Sequence, residues 1–228
     1  DTDLGYTTLY VVRFNSDGSV DTTFGSFGVK SVGVAETSSN YNKANAIVLQ
    51  SDGKILVAGA SDSDFLLVRL DTSGALDTTF NSTGFITTDF NSALDYANAI
   101  ALQTDGRIVL AGQSGYDFAV ARYETNGMLV TKVTTDFGGQ DYGYGVTVQS
   151  DDKIVVVGLN FMNQSSSFAI ANYNSDLSLN SSFGTNGKVT VNFLTSANSP
   201  YNDIAKSVSI HSDGKIIVGG IAWYTMGL

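Results

Sequence analysis

The chain has 228 residues, 43% of them hydrophobic, with 24 Gly, a single Pro and a net charge of −10. That apolar share supports a sizeable core, and the Gly-, Tyr-, Phe-, Val- and Thr-rich composition suits half-buried strands joined by tight turns rather than helices. The acidity excludes nucleic acid and anionic membranes as partners, the lack of Cys excludes disulfides and thiolate chemistry, and no apolar run approaches the ~20 residues that span a bilayer.

In chain order, Val11–Gly18 reads as a strand running into a turn. Asp21-Thr-Thr-Phe24 follows, then a short strand within Gly28–Val34. Ala44–Gly59 reads as a hairpin around an Asp-Gly turn, the chemistry that positive φ demands. Its first strand sets Ala44 and Ala46 on one face and Ile47 and Leu49 on the other. Its second strand is nearly continuous aliphatic, as expected where both faces are covered, and ends on Gly59, where a side chain would obstruct close packing. Leu67–Gly74, Asp77-Thr-Thr-Phe80 and Gly84–Phe90 then repeat the opening pattern.

The same order recurs as Ala97–Gly112, Val120–Gly127 and Val130–Phe137. It returns as Gly143–Gly158, Ile170–Asp176, Asn180-Ser-Ser-Phe183 and Gly187–Phe193, and the chain finishes with Ala205–Gly220. The anchor residues Asp52, Asp105, Asp151 and Asp213 lie 53, 46 and 62 residues apart. Four antiparallel strands in some fifty residues make one blade of an all-β propeller. One propeller domain is therefore expected over 1–228: a half blade at 1–36, blades at about 41–92, 93–139 and 140–195, and a half blade at 200–228. Together the halves complete one blade, which predicts a four-bladed ring with one blade split between the termini. An arc of a larger 7–8-bladed propeller and two chains joined head to tail as eight blades are the alternatives. Small residues on the first strand favour few blades. The start on Asp, with no signal-peptide pattern, suggests a processed or excised piece of something longer.

These columns resemble the delta-60 repeat family, a bacterial propeller-like repeat. Its pattern joins a small-residue strand, a Gln-x-Asp-Gly-Lys-Ile turn, a Gly-ended strand, an Arg-bearing strand and a Gly-x-Leu-Asp-x-x-Phe-Gly segment. Val68-Arg69-Leu70, Gly74-Ala-Leu-Asp77 and Phe80 match the last parts, and Asp17–Gly25 matches closely too. Asn172 in place of Arg, Asp152 in place of Gly, and Leu129-Val-Thr-Lys132 in place of Leu-Asp-x-x-Phe-Gly depart from it. The last departure implies a blade with a shortened outer corner. The resemblance implies a secreted or surface-exposed protein and carries no activity.

His211 occupies the column of Gln50, Gln103 and Gln149, so it reads as a structural substitution rather than part of a Ser-His-Asp triad. One His and no Cys exclude ordinary zinc sites. Arg13, Arg69 and Arg122 share a column and read as buried cations paired with a repeated carboxylate, with Asp64/Asp117 or Asp95/Asp141/Asp203 as possible partners; an anion-binding ring is the other reading. Asn15–Asp21 places oxygens at alternate positions, as a calcium loop does, but Ser73, Val130 and Leu177 at equivalent positions favour a plain turn. Asp62/Asp64 and Asp1/Asp3 are carboxylate pairs of the kind a glycosidase needs, in a chain where acids are plentiful. Gly138-Gly139 lacks the Lys and helix of a phosphate loop. Trp223 and Tyr224, with Tyr6 and Tyr10, fall where the split blade would close. Asn81, Asn163 and Asn180 fit the N-glycosylation pattern.

The resulting expectation is a protein that is not an enzyme, secreted or at the cell surface, acting in binding or assembly with a protein or carbohydrate partner. No nucleic acid partner, no membrane insertion and possible self-assembly are expected. No catalytic, cofactor-binding or metal-ligating residue is assigned, ligand-binding residues are unknown, no cofactor is expected, and calcium is the only metal entertained. Leu159–Ser167 and Leu194–Asn202 lie outside the repeat's demands and are the segments to search for contacts. The alternative is a glycan-active enzyme with acidic residues around the central channel.

Overall fold

A computed structural model describes residues 8–34, 41–91, 94–193 and 203–222. Among these the fold is all-β, in sixteen strands, and no helix is long and apolar enough to cross a membrane. Three sheets are complete four-stranded antiparallel meanders. The first joins β3 (Asn42–Leu49), β4 (Ile55–Ser61), β5 (Asp64–Leu70) and β6 (Phe85–Thr88). The second joins β7 (Asp95–Leu102), β8 (Ile108–Ser114), β9 (Asp117–Tyr123) and β10 (Leu129–Thr135). The third joins β11 (Gln140–Val148), β12 (Ile154–Met162), β13 (Ser165–Tyr173) and β14 (Lys188–Val191). β1 (Leu9–Val12) pairs with β2 (Val29–Val32), and β15 (Ile204–Ile210) with β16 (Ile216–Ile221).

The glycines expected to end the second strands lie inside them, since β4, β8 and β12 run on to Ser61, Ser114 and Met162, and their place has a steric reason. A Cβ on Gly59, Gly112 or Gly158 would lie 1.7–1.9 Å from the carbonyl oxygen of Lys43, Tyr96 or Tyr142. At that point the first strand bulges by one residue, at Asn45, Asn98, Tyr144 and Lys206. The bulge changes the expected alternation. Ala44 pairs with Gly59 and Ala46 with Ala58, so the two alanines take opposite faces, and Ala46 joins Val48 against the next blade. The bulge residues link neighbouring first strands: Asn45 donates to the Ala97 carbonyl at 2.9 Å, Asn98 to that of Gly143 at 2.9 Å, and Lys206 sits 3.6 Å over the Tyr144 ring.

The core lies between blades. Leu56, Ala58, Phe65 and Leu67 of the first blade meet Ala97, Leu110, Ala119 and Ala121 of the second, and Val109 and Val120 meet Val156, Ala169 and Ala171 of the third. The second strands β4 and β8 are buried almost throughout, as is most of β12. Among the described residues, β1–β2 and β15–β16, the halves of the blade expected to be shared between the ends of the chain, form separate two-stranded sheets. β16, the counterpart of β4, is mostly exposed.

Candidate functional site

Antiparallel topology gives every blade two ends. One end carries the turns between first and second strands and the corners between third and fourth. The Asp-Gly turns are closed by their own aspartates, as where Asp52 accepts from the Lys54 amide at 3.1 Å. His211 lies here, exposed, with Nδ1 2.7 Å from Asp213 Oδ1. In the Asn15–Asp21 segment, Asp17 accepts from both the amide and the hydroxyl of Ser19, at 2.9 and 2.6 Å. Its carboxylate is thus turned inward on its own turn.

The arginine column is structural at this end, but its partners differ from those expected. Arg13 Nε lies 2.8 Å from Asp21 and Arg69 Nε 2.9 Å from Asp77, not beside the Asp64 or Asp95 columns. The Arg69 contact is close in distance but outside hydrogen-bond geometry. Each guanidinium also stacks over a phenylalanine, Phe24 or Phe80, and donates to a carbonyl of the next blade, Thr72 or Thr125, at 2.5 Å. Burial pushes the Asp77 carboxyl up, but Thr79, Lys54 and Arg69 together outweigh it and bring it down to about 2.

The other end holds the chemistry that periodicity does not explain. Second strands end here, third strands begin, fourth strands end and the next first strand begins. Asp64 at the head of β5, Asp89 beyond β6 and Asp95 at the head of β7 therefore converge in the joint between two blades, one carboxylate oxygen of each within 4.8 Å of the others. Asp117, Asp136 and Asp141 repeat this in the next joint. The innermost acid of each group has a framework role: Asp95 accepts from the Phe90 amide and Asp141 from that of Phe137, both at 2.6 Å. Asn160 also donates to Asp141 at 2.6 Å. One ammonium reaches each joint from the following blade, Lys132 to the Asp89 carbonyl and Lys188 to that of Asp136.

Three carboxylates against one ammonium leave each joint electronegative. Burial pushes Asp64 up, reinforced by the charges of Asp89, Asp95 and Asp62 and opposed by Lys132. Burial likewise raises Asp95, against the Phe90 amide and the Ser114 hydroxyl, and raises Asp117, with Asp136 adding to it. Asp141 is raised by burial against the Phe137 amide and Asn160. Such a group can attract a positive charge or hold a proton. The fully acidic joints are two: the columns read Ser167, Asn192 and Asp203 after the third blade, and Thr8, Gly33 and Asn42 before the first.

Among the expected sites, Asp64 falls in this acidic end, whereas Asp1, Asp3, Trp223, Tyr224 and Tyr6 lie outside the described residues. So does Leu194–Asn202, and Leu159–Ser167 is an extended hairpin, β12–β13, two residues longer per strand than its counterparts. The convergence of Asp89 and Asp95 with Asp64 was missed in the sequence. The Asp-Phe pairs at 89–90 and 136–137 were the signal available for it.

A family described as "Domain of unknown function (DUF5122) beta-propeller" matches residues 2–24, 50–80, 103–129 and 149–183, just over half of the chain. The chain belongs to this family. No curated protein matches it. Among solved structures it is similar to the extracellular domain of a putative hybrid two-component system from B. thetaiotaomicron, at 13% identity and a TM-score of 0.49, over 85% of this chain and 23% of that one. It is also similar to a streptogramin B lyase, at 14% identity and a TM-score of 0.45, over 77% of this chain and 53% of that one. A virginiamycin B lyase from Staphylococcus aureus matches at 11% identity and a TM-score of 0.37, over 95% of this chain and 75% of that one. The chain thus spans about a quarter of the first and about half of the second, and these likenesses concern the fold alone. They overturn the expectation that the chain is not an enzyme. A fold does not fix a function, so a propeller repeat is no ground for excluding catalysis.

Proposed function

We propose that the chain is a secreted or cell-surface binding propeller with a repeat of the delta-60 kind, taking a protein or carbohydrate partner on its acidic end. One observation carries the reading. The two three-carboxylate joints share that end with exposed Leu94, Tyr116 and Met162, which sit on the connections and hairpin tips rather than in the blade cores. Three carboxylates grouped in a joint beside apolar and aromatic side chains suit a basic peptide segment, and the tyrosine face suits a sugar ring. Glycan and peptide arrays probed with the parent chain, Asp117→Asn and Tyr116→Ala provide the test. Both variants are expected to lose the same ligand by tenfold or more while melting no lower than the parent. A ligand held equally by all three proteins would place binding elsewhere.

A second reading rests on the raised carboxyls of Asp64 and Asp117, which suit proton donation to a glycosidic oxygen. On this reading the acids act from one end of the blades, in the joints, and not along the channel-lining first strands. Turnover on the same glycan panel, abolished in Asp117→Asn, is its signature.

A further inference from the structure

We infer that β15–β16 of one copy of this chain completes a blade with β1–β2 of a second copy, so that two copies close an eight-bladed ring. The proposal stands apart from any ligand at the acidic end. It starts from what the open blade leaves bare. In the closed joints the second strand covers the first strand of the following blade, and Leu56, Val109 and Val155 are fully buried. Their counterpart Ile217 on β16 is 54% exposed. At the other end of the chain, Ile47 and Leu49 of β3 are 58% and 65% exposed, while their counterparts Ile100, Leu102, Val146 and Val148 are packed between blades. Between β1 and β3 runs a groove of about 290 Å³ lined by Tyr10, Val12, Ala46 and Ile47, where the second strand of that blade belongs.

Three features identify β15–β16 and β1–β2 as each other's complement. Register is the first: β4 pairs with β5 through Val57 and Val68, and β12 with β13 through Val156 and Ala171, which sets Val218 opposite Val12. Charge is the second. Lys54, at the head of β4, lies 3.1 Å from Asp77, the partner of Arg69. Lys215 heads β16, 79% exposed and contacting Asp213 of its own turn, and Asp21 is the partner of Arg13. Joining the halves sets Lys215 against Asp21.

The third feature is a matched pair that recurs at each joint. The end of one blade's fourth strand meets the end of the next blade's third strand. In two joints the contact is polar: Thr88 with the Tyr123 hydroxyl and Thr135 with that of Tyr173, both at 2.8 Å. Between β2 and the first blade both members are apolar, Val32 and Leu70. The unmade joint would bring Val191 of β14 to Phe14, apolar against apolar, so no hydroxyl is stranded. Among the described residues β1 and β16 lie in separate sheets with open edges, and these edges match in register, charge and side-chain character when two copies are set head to tail.

The chain has no Cys, so a cross-link can be placed cleanly. Val12→Cys and Val218→Cys are made separately, mixed and oxidised; directly opposed strand residues lie within disulfide reach. A covalent pair of chains is expected from the mixture alone, and light scattering of the unaltered chain should give about twice its 24.1 kDa. A single-chain mass, with the double variant cross-linking within itself, would show self-closure and overturn the proposal. A double mass without the cross-link would overturn it too, by placing contact on another surface. Circular dichroism of each single variant guards against misfolding, and the mass of the unaltered chain needs no variant.

Discussion

Arg69 is enclosed by a carboxylate, a phenyl ring and a carbonyl of the next blade, and each contact has a counterpart elsewhere in the chain that tests its meaning. Where Arg becomes Asn172, the partner aspartate becomes Asn180, whose amide donates to Asn172 Oδ1 at 3.0 Å. The pair has changed together from ionic to neutral, as desolvation requires when one buried charge is lost. In the second blade the corner has lost both aspartate and phenylalanine. Of these contacts Arg122 keeps the carbonyl, that of Ser175, its charge also acts on the Asp176 carboxylate, and its buried Nε has no hydrogen-bond partner. Arg69→Ala should therefore cost about 3–5 kcal/mol, because it leaves the buried Asp77 charge with Lys54 as its remaining cation, beside its hydrogen bonds from Thr79. Calorimetric melting close to that of the parent would mean that the pair carries little. The Thr88–Tyr123 contact admits a finer measurement. Tyr123→Phe should cost about 1 kcal/mol by stranding the Thr88 hydroxyl, and adding Thr88→Val should recover most of it, since Val32 and Leu70 fill the same place without a hydroxyl. Strictly additive losses in denaturant titrations would show that the two hydroxyls do not act as a pair.

Strands, turns and blade order were legible in the sequence because each rests on local chemistry: alternation, Asp-Gly turns, and a glycine wherever a Cβ would strike the facing carbonyl. The bulge at Asn45 was not, since one extra residue leaves no mark on composition and yet flips Ala46 to the other face. The Arg partner was misread for a related reason. Asp77 sits eight residues on, beyond a turn that folds it back, whereas Asp64 is nearer in sequence but at the opposite end of β5. The acidic joints were the least legible, because Asp64, Asp89 and Asp95 come from three strand ends and meet only when two blades pack. Their crowding has a consequence for stability. The folded Asp64 carboxyl binds its proton more tightly than the free group at 3.8, so what it contributes is fully present below that value and lost as pH rises through the raised one. Asp64→Asn cannot ionise. It should melt above the parent at pH 7 by about 0.5 kcal/mol, with the gain gone below pH 4 and reduced in high salt. A variant less stable than the parent at pH 7 would mean that the charge is needed there.

A molecule built this way holds together through its joints. Each blade gains its core from its neighbours, so stability is a sum of nearest-neighbour interfaces, and a blade with one neighbour has less of it than a blade with two. The second blade is clasped on both sides by buried residues of β4, β12 and β13, and further links cross its joints. Asp152, held at a φ of 62° where the other turns have glycine, accepts from the Thr104 amide and hydroxyl at 3.0 and 2.7 Å. The half blades have no such clasp on their open side. In hydrogen exchange, amides of β8, β9 and β12 should be the slowest, and those of β16, β1 and the edge of β3 the fastest in dilute solution. If a second copy fills the open blade, protection in β16 and β1 alone should rise with protein concentration, and the melting temperature with it, because association stabilises the folded state by mass action. Protection uniform over all sixteen strands and independent of concentration would mean that the ends are already closed in the single chain. A concentration-dependent rise confined to the acidic end would instead place self-association on the surface assigned here to other ligands.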